Sequence, residues 1–371
     1  MDLSAITIVR ATPAQAKRTL DIHHPFWGVP RNFSLERYYE VEESLNHPEQ
    51  PWAKHGEWTG YTTWALVPRD DPETLDLLAS CETYKRHALV LAPGETEPKD
   101  EVSYGIASVF CNPTHRGNAY PRHLLSLLHY VLAQPTSLPP FPAAWGAPPT
   151  IPGFGNAAFS VLYSDVGPTY YTRCTKGDSG AGWMPHNPGK RVWDVPGADE
   201  TVDWRDYDGE WVDYAGLEKL GAIGSERIRK NLPAKGDTSK TRMAILPDGG
   251  WFQNAPTRYQ LSNNARPDAK FGLVLPACAS GEQPFLVWGF DKEGKRMVVG
   301  HASGNVPWSA VVAAAKHEGC TSIESWADYG WDEQASAFEH MTEKSIPALA
   351  AYTLGEDAKI EWLHNEKYPW M

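Results

Sequence analysis

The sequence predicts an α/β chain folded as two successive units. Three observations predict it. A strand signal over 102–111 leads through a glycine-containing turn into a helix with Leu124, Leu128, Val131 and Leu132 on one face. A second series repeats that order, with strands at 271–275, 285–290 and 296–300, a helix at 307–318 and a strand at 322–326. Between them, 177–264 is rich in Gly, Pro, Asp and Trp and poor in periodicity. The boundary falls there, near residue 185, giving units 1–185 and 186–371, a division that 371 residues can support.

The other elements of the first unit follow in order. Residues 5–10 alternate as a strand, and Thr12-Pro13 opens a helix over 14–20. Ser34 opens a second helix within 33–45, with Arg37 one turn on. Residues 61–67 and 77–91 read as strands, the second long or bent, closed by Pro93-Gly94. In the 102–111 strand, alternation puts Val102, Tyr104, Ile106, Ser108 and Phe110 on one face, and Ser103, Gly105, Ala107 and Val109 on the other. Seven prolines and three glycines make 135–155 an irregular loop. Residues 159–162 form a short buried strand, and Ser164-Asp165 caps a helix reaching about Cys174.

Composition narrows the functions. A net charge of -12 argues against nucleic acid as a main partner, since phosphate binding needs a basic face. No apolar run approaches the roughly 20 residues a membrane helix requires, and no secretory signal opens the chain, so the cytoplasm is the expected location. Five widely spaced cysteines without a CxxC predict reduced thiols. The histidines lack HxH or HxxxH spacing, so no metal is expected.

The chemistry concentrates after the 102–111 strand. Arg116-Gly117-Asn118-Ala119 opens a helix whose first N–H groups and positive dipole end suit an anion. Gly117 permits close approach and Arg116 adds a fixed charge. A pyrophosphate is the natural occupant; a plain strand–helix turn is the alternative.

This segment resembles the coenzyme A loop of the GNAT acetyltransferase superfamily, with Gly117 and Ala119 at two fixed positions and Thr114 where Gln or Arg is usual. Ser80-Cys81-Glu82-Thr83, Ser108-Val109-Phe110-Cys111, 162–167 and 361–368 resemble the fungal lysine N-acetyltransferase family. The resemblance spans nearly the whole chain. It implies a GNAT acyl-CoA N-acyltransferase fold with a second, GNAT-like α+β C-terminal domain shaping the acceptor pocket. It further implies acetyl-CoA as cosubstrate and a small-molecule amine acceptor, the side-chain amine of free lysine or another small amine. Backbone groups of Val109 and Cys111 would hold the pantetheine arm, beside the Arg116–Ala119 loop. Tyr171 takes the place of the residue that protonates the leaving thiolate, followed by Thr175-Lys176 where Gly and an aromatic are expected; packing is its alternative role. Glu82 is the candidate base, with a structural role, bonded to backbone or Arg86, as the alternative. A catalytically silent GNAT-fold binding protein is the reading from another class.

Four further features stand out. Gly177-Asp178-Ser179-Gly180 mimics a serine-protease segment, but no Ala-Ala-His-Cys pattern accompanies it. The seven acids and interleaved aromatics of 199–214 form either a cation-attracting rim or a solvated surface segment. Gly304-Asn305 before Pro307 echoes Gly117-Asn118 before Pro121, as a second coenzyme A loop would. Finally, Trp362, Tyr368 and Trp370 predict that the segment from residue 360 onward packs between the two units, as a brace or with Glu361 or Glu366 near the acceptor.

Overall fold

The first two helices begin where their caps stand. β1 (Ile6–Arg10) leads to α1 (Pro13–Trp27), where Thr12 and Gln15 exchange side-chain and backbone hydrogen bonds of 3.0 and 3.2 Å in a capping box. Such a cap contributes about 1 kcal/mol. α1 continues past the predicted end at Leu20, with Pro25 in its last turns. Ser34 accepts the Arg37 N–H at 3.1 Å and opens α2 (Leu35–Leu45). The computed structural model describes residues 2–370 except 179, 187–188, 196–207, 280, 292, 328, 332–336, 340–343 and 355–358. Ser179 and the 199–207 part of the acidic stretch therefore lie outside the described residues.

The first sheet continues with β2 (Gly60–Pro68), β3 (Ala79–Leu91) and β4 (Lys99–Cys111). α3 (Tyr120–Leu132) then crosses over to β5 (Ala157–Ser164), which runs parallel to β4. A parallel neighbour requires such a crossover. α3 is buried along its inner length and packs on Ile8, Trp64, Cys81, Tyr104, Ile106 and Leu162. Beyond β5 come β6 (Met184–Pro185), β7 (Lys190–Asp194) and β8 (Glu210–Val212), then α4 (Leu217–Asn231), β9 (Thr241–Ile245) and α5 (Trp251–Gln260). Neither α4 nor α5 was expected from the sequence.

The second sheet is built from β10 (Gly272–Val274), β11 (Phe285–Phe290), β12 (Arg296–Ser303), α6 (Trp308–His317), β13 (Ser322–Ser325) and β14 (Ala337–Glu339), joined by β7 and β8. Its order is β14-β7-β13-β12-β11-β10-β8, and only β12 and β13 pair in parallel, bridged by α6. The β12–α6–β13 unit thus repeats β4–α3–β5. β15 (Ile346–Ala351) and β16 (Ile360–Trp362) return to the first sheet. β15 pairs antiparallel with β5 along its whole length, and β16 runs parallel to β9. β3 serves two neighbours on one edge, β2 over 79–85 and β9 over 88–91, with Arg86 buried at the changeover.

The C-terminal segment docks between the sheets, as its aromatics predict. Tyr368 packs on Phe252 and Val287 and donates to Ile245 O, and Arg86 donates to Pro369 O at 3.3 Å. Glu361 accepts the Asp237 N–H at 2.6 Å, whereas Glu366 contacts His301 of β12. Burial opposes the Glu366 charge, yet His301 and His364 hold its carboxyl down to about 2.

Three histidines of the first unit are buried away from any acid. Burial lowers His23 and His129 to about 3 and His123 to about 4. Each is neutral when folded but protonates near 6.5 when unfolded. Their contribution is complete above about pH 6.5 and is lost as the pH falls toward 3–4, at roughly 1.4 kcal/mol per pH unit for each. Urea midpoints should therefore fall between about pH 7 and 5, and His23→Asn should flatten that slope. A slope unaltered in the variant would mean that other groups set the acid limit.

Candidate active site

One extra residue shapes the end of β4. Ser80 pairs with Phe110 and Glu82 with Ala107, so Ser108 and Val109 together face Cys81. Ser108 turns into the left-handed region at φ 51°, and the strand bends there. The bulge overturns the simple alternation of faces: Val109 moves onto the α3 core, while Phe110 turns to His23, Phe26 and Trp27 of α1. The β4–β5 ladder ends at Ile106↔Leu162. Beyond it, among the described residues, no strand pairs with the β5-side edge of β4 that carries Val109 and Cys111.

The segment after β4 is pinned from within. Asn112 Oδ1 accepts the Thr114 N–H at 3.3 Å and the Thr114 hydroxyl at 2.9 Å. Asn118 donates its amide to His115 O at 3.1 Å, bracing the loop. The Arg116 guanidinium is exposed and lies 5.0 Å over the Phe26 ring and 5.8 Å from that of Phe110. Gly117 has φ +88°, and a Cβ there would meet nothing within 4 Å. Ala119 is left-handed, and α3 starts at Tyr120 with Pro121 where a missing donor costs nothing. An exposed guanidinium, an open glycine and a helix N-terminus thus follow one another along one edge. The echo at Gly304 lacks this space, because a Cβ there would stand 3.2 Å from Pro284 Cα and 3.3 Å from Glu282 Oε1.

The predicted helix over 164–174 does not form. The Ser164 hydroxyl donates to Gly167 O at 2.6 Å and accepts the Val166 N–H at 3.3 Å, closing a turn at left-handed Gly167. Only Tyr171–Arg173 winds, as one 3-10 turn. Tyr171 packs against the α3 core with its ring 5.1 Å from that of Tyr170. Burial pushes the Tyr170 phenol up to about 12 and that of Tyr171 higher still, so both are protonated at neutral pH.

A buried relay holds this turn. The Trp183 indole donates to Ser160 Oγ at 3.0 Å, and Ser160 meets the Tyr352 hydroxyl at 2.6 Å. Tyr352 lies 2.9 Å from His129 Nδ1, and His129 Nε2 lies 3.0 Å from Cys174 O. A carbonyl can only accept, so Nε2 carries the proton and Nδ1 accepts from Tyr352. Every donor then points the same way along the chain. Trp183 also stacks on His129 at 4.0 Å, and its backbone N–H donates to Tyr171 O at 3.1 Å.

Glu82 lies elsewhere. It is buried on β3 and accepts the Tyr61 hydroxyl at 2.7 Å, which in turn accepts from Thr63 at 3.0 Å; its hydrogen-bond partner is Tyr61 rather than Arg86. Cys81 faces the α3 core, so Glu82, next along the strand, faces α2. Half-buried Glu42 of α2 is raised by desolvation and then by the Glu82 charge. Tyr171 and Glu82 therefore occupy opposite faces of the sheet, on either side of the β4 opening. Tyr84, 5.1 Å from Tyr61 and 5.6 Å from Trp251, continues the Glu82 face toward a cleft of about 460 Å³. Val41, Trp251, Arg258, Lys367 and Trp370 line it. No local motif in the sequence marked the relay or the cleft.

Solved structures share this architecture. A GCN5-related N-acetyltransferase from Kribbella flavida superposes with a TM-score of 0.50 at 12% identity, covering 94% of this chain and 72% of that one. The fold is the GNAT fold. A probable N-acyltransferase from Enterococcus faecalis V583 gives 0.50 at 12% identity over 95% and 74%. A GCN5-related N-acetyltransferase from Anabaena variabilis gives 0.50 at 11% identity over the same shares. Residues 194–371 match the model of the LYC1 GNAT-like C-terminal domain. No curated protein matches the sequence. Within the GNAT frame, Val109, Cys111 and the 116–119 loop sit on one edge, with Glu82 on the opposite face from Tyr171.

Breaking the relay tests its role in the turn. Tyr352→Phe leaves His129 Nδ1 without its donor, which should cost about 1–3 kcal/mol. A chemical denaturation curve followed by tryptophan fluorescence reads it; an unshifted midpoint would show that the turn does not depend on the relay.

Proposed function

We propose that the protein is an acetyl-CoA-dependent N-acetyltransferase acting on the side-chain amine of a small molecule, free lysine first among candidates. The observation that carries this reading is the coincidence of the β4 bulge, the open left-handed Gly117 and the α3 N-terminus along one edge. An extended amide-bearing arm can pair with Val109 and Cys111 where β5 has left β4, with its pyrophosphate against Arg116 and the first N–H groups of α3. One N–H of that edge faces the thioester oxygen as charge develops on it. The acceptor enters from the α2 face, where Glu82 takes the amine proton directly or through water, because an amine of pKa about 10.4 is otherwise protonated. Its nitrogen bonds to the acetyl carbon as the carbon–sulfur bond breaks. The protonated phenol of Tyr171 donates to the departing thiolate; its raised pKa favours a strong hydrogen bond over early release of the proton. No acyl-enzyme is required. Among the described residues no helix is long and apolar enough to cross a membrane. The cytoplasm is the proposed setting, where widely spaced cysteines without a CxxC stay reduced.

Acetyl-CoA should raise the melting temperature, and Gly117→Asp should remove that shift by setting a carboxylate against the pyrophosphate. Gly117→Asn, equal in size and tolerant of φ > 0, separates charge from bulk. Unchanged affinity in both variants would move the cofactor elsewhere.

Tyr171→Phe should lower kcat about 100-fold with acetyl-CoA affinity kept, since the ring still fills its place. A panel of amines with thiol-release detection names the acceptor. Equal loss of binding and stability in Tyr171→Phe would assign that ring to packing.

A further inference from the structure

We propose that His301, His364 and Glu366 form a binding site for a divalent transition ion of the zinc class, separate from the coenzyme loop. The sequence hides it: His364-x-Glu366 is a weak spacing, and His301 joins only because the C-terminal segment docks against β12. The ligand atoms of the three side chains lie within 4.8 Å of one another. Ligand atoms held tetrahedrally at bonds of about 2.0–2.2 Å stand roughly 3.4 Å apart. His364 Nδ1 already lies 3.3 Å from Glu366 Oε1, and His301 Nδ1 touches Glu366 Oε2. Small side-chain rotations convert those contacts into ligation, the ion replacing the protons that bridge nitrogen and oxygen.

The donor set selects the ion. Two imidazoles and one carboxylate suit zinc and its neighbours, whereas calcium and magnesium prefer oxygen alone. The set is held rigidly. His301 sits on an interior strand, and the side chains of His301 and Glu366 are 2% and 3% exposed. The segment is anchored before the site by β16 on β9 and after it by Tyr368 on Ile245. Around the ligands, the Tyr329 hydroxyl accepts the Ala302 N–H at 3.1 Å and hydrogen-bonds Glu366, fixing the carboxylate as supporting groups do in metal sites. His364 Nε2 is buried without a partner. A cavity of about 540 Å³, also lined by Arg227 and Ser303, opens onto the three ligands and supplies the entry path and a fourth position for water or a small anion.

Metal analysis of the purified full-length chain tests this without any assay of acyl transfer, so its outcome is independent of the function proposed above. We expect close to one zinc per chain, a visible d–d band on cobalt substitution, and a melting temperature that rises with Zn²⁺. His364→Ala should weaken zinc binding by more than about 100-fold, the upper end of what loss of a supporting group alone costs. His364→Cys, which restores a ligand, should recover binding. The proposal is overturned if the folded wild type binds zinc no more tightly than His364→Ala, or gives no cobalt band. If His364→Ala does not fold, a wild-type melting temperature unmoved by Zn²⁺ overturns it equally; the three side chains would then be a hydrogen-bonded brace.

Discussion

A strand that turns into the left-handed region bends away from its neighbour, and β4 does so at Ser108, just past its last pair with β5. Everything at the candidate site depends on that constraint. The bulge bends β4, ends its ladder with β5 at Ile106, and turns Val109 toward α3 and Phe110 toward α1. Phe110 then carries Arg116 on its ring, so the same distortion that opens the edge also positions the loop charge. The relay from Trp183 to His129 ties the carbonyl of Cys174 to α3, to Ser160 of β5 and to Tyr352 just past β15. A regular β4 would leave neither the gap nor the loop geometry.

The two units use one motif to different ends. Both have parallel strands bridged by a helix, and both have a left-handed glycine before that helix. At Gly117 the space beside Cα is open, whereas at Gly304 Pro284 and Glu282 fill it. The second sheet therefore repeats the strand–helix–strand motif of the first without the open glycine beside it. Its contribution lies in the surface it presents to the first: α5 and the docked C-terminal segment make one wall of the cleft beyond Glu82.

Local chemistry made part of this legible in the sequence. Thr12, Ser34 and the Gly117–Pro121 stretch announce helix starts because each signal acts within one turn. α4 and α5 stayed hidden because their glycines and proline serve packing: Gly221 and Gly224 sit within 4 Å of Pro247 and Phe252, and Pro256 lies inside α5. Ser164-Asp165 misled in the other direction, since the hydroxyl closes a turn at Gly167 instead of capping a helix. The bulge was invisible because one inserted residue alters the pattern only through pairing. The relay and the His301–Glu366 contact join residues far apart in the chain, and no spacing encodes such meetings.

The threading of the first sheet has a consequence for synthesis. β5 finds its outer neighbour in β15, and β3 finds its second neighbour in β9, which itself pairs with β16. As the chain emerges from the ribosome, the β3 edge thus stays unpaired until β9 is made, and the β5 edge stays unpaired until β15 follows the second sheet. Edges of that kind are templates for wrong partners. The pairings of β9, β15 and β16 span long sequence separations, the class of contact that slows folding.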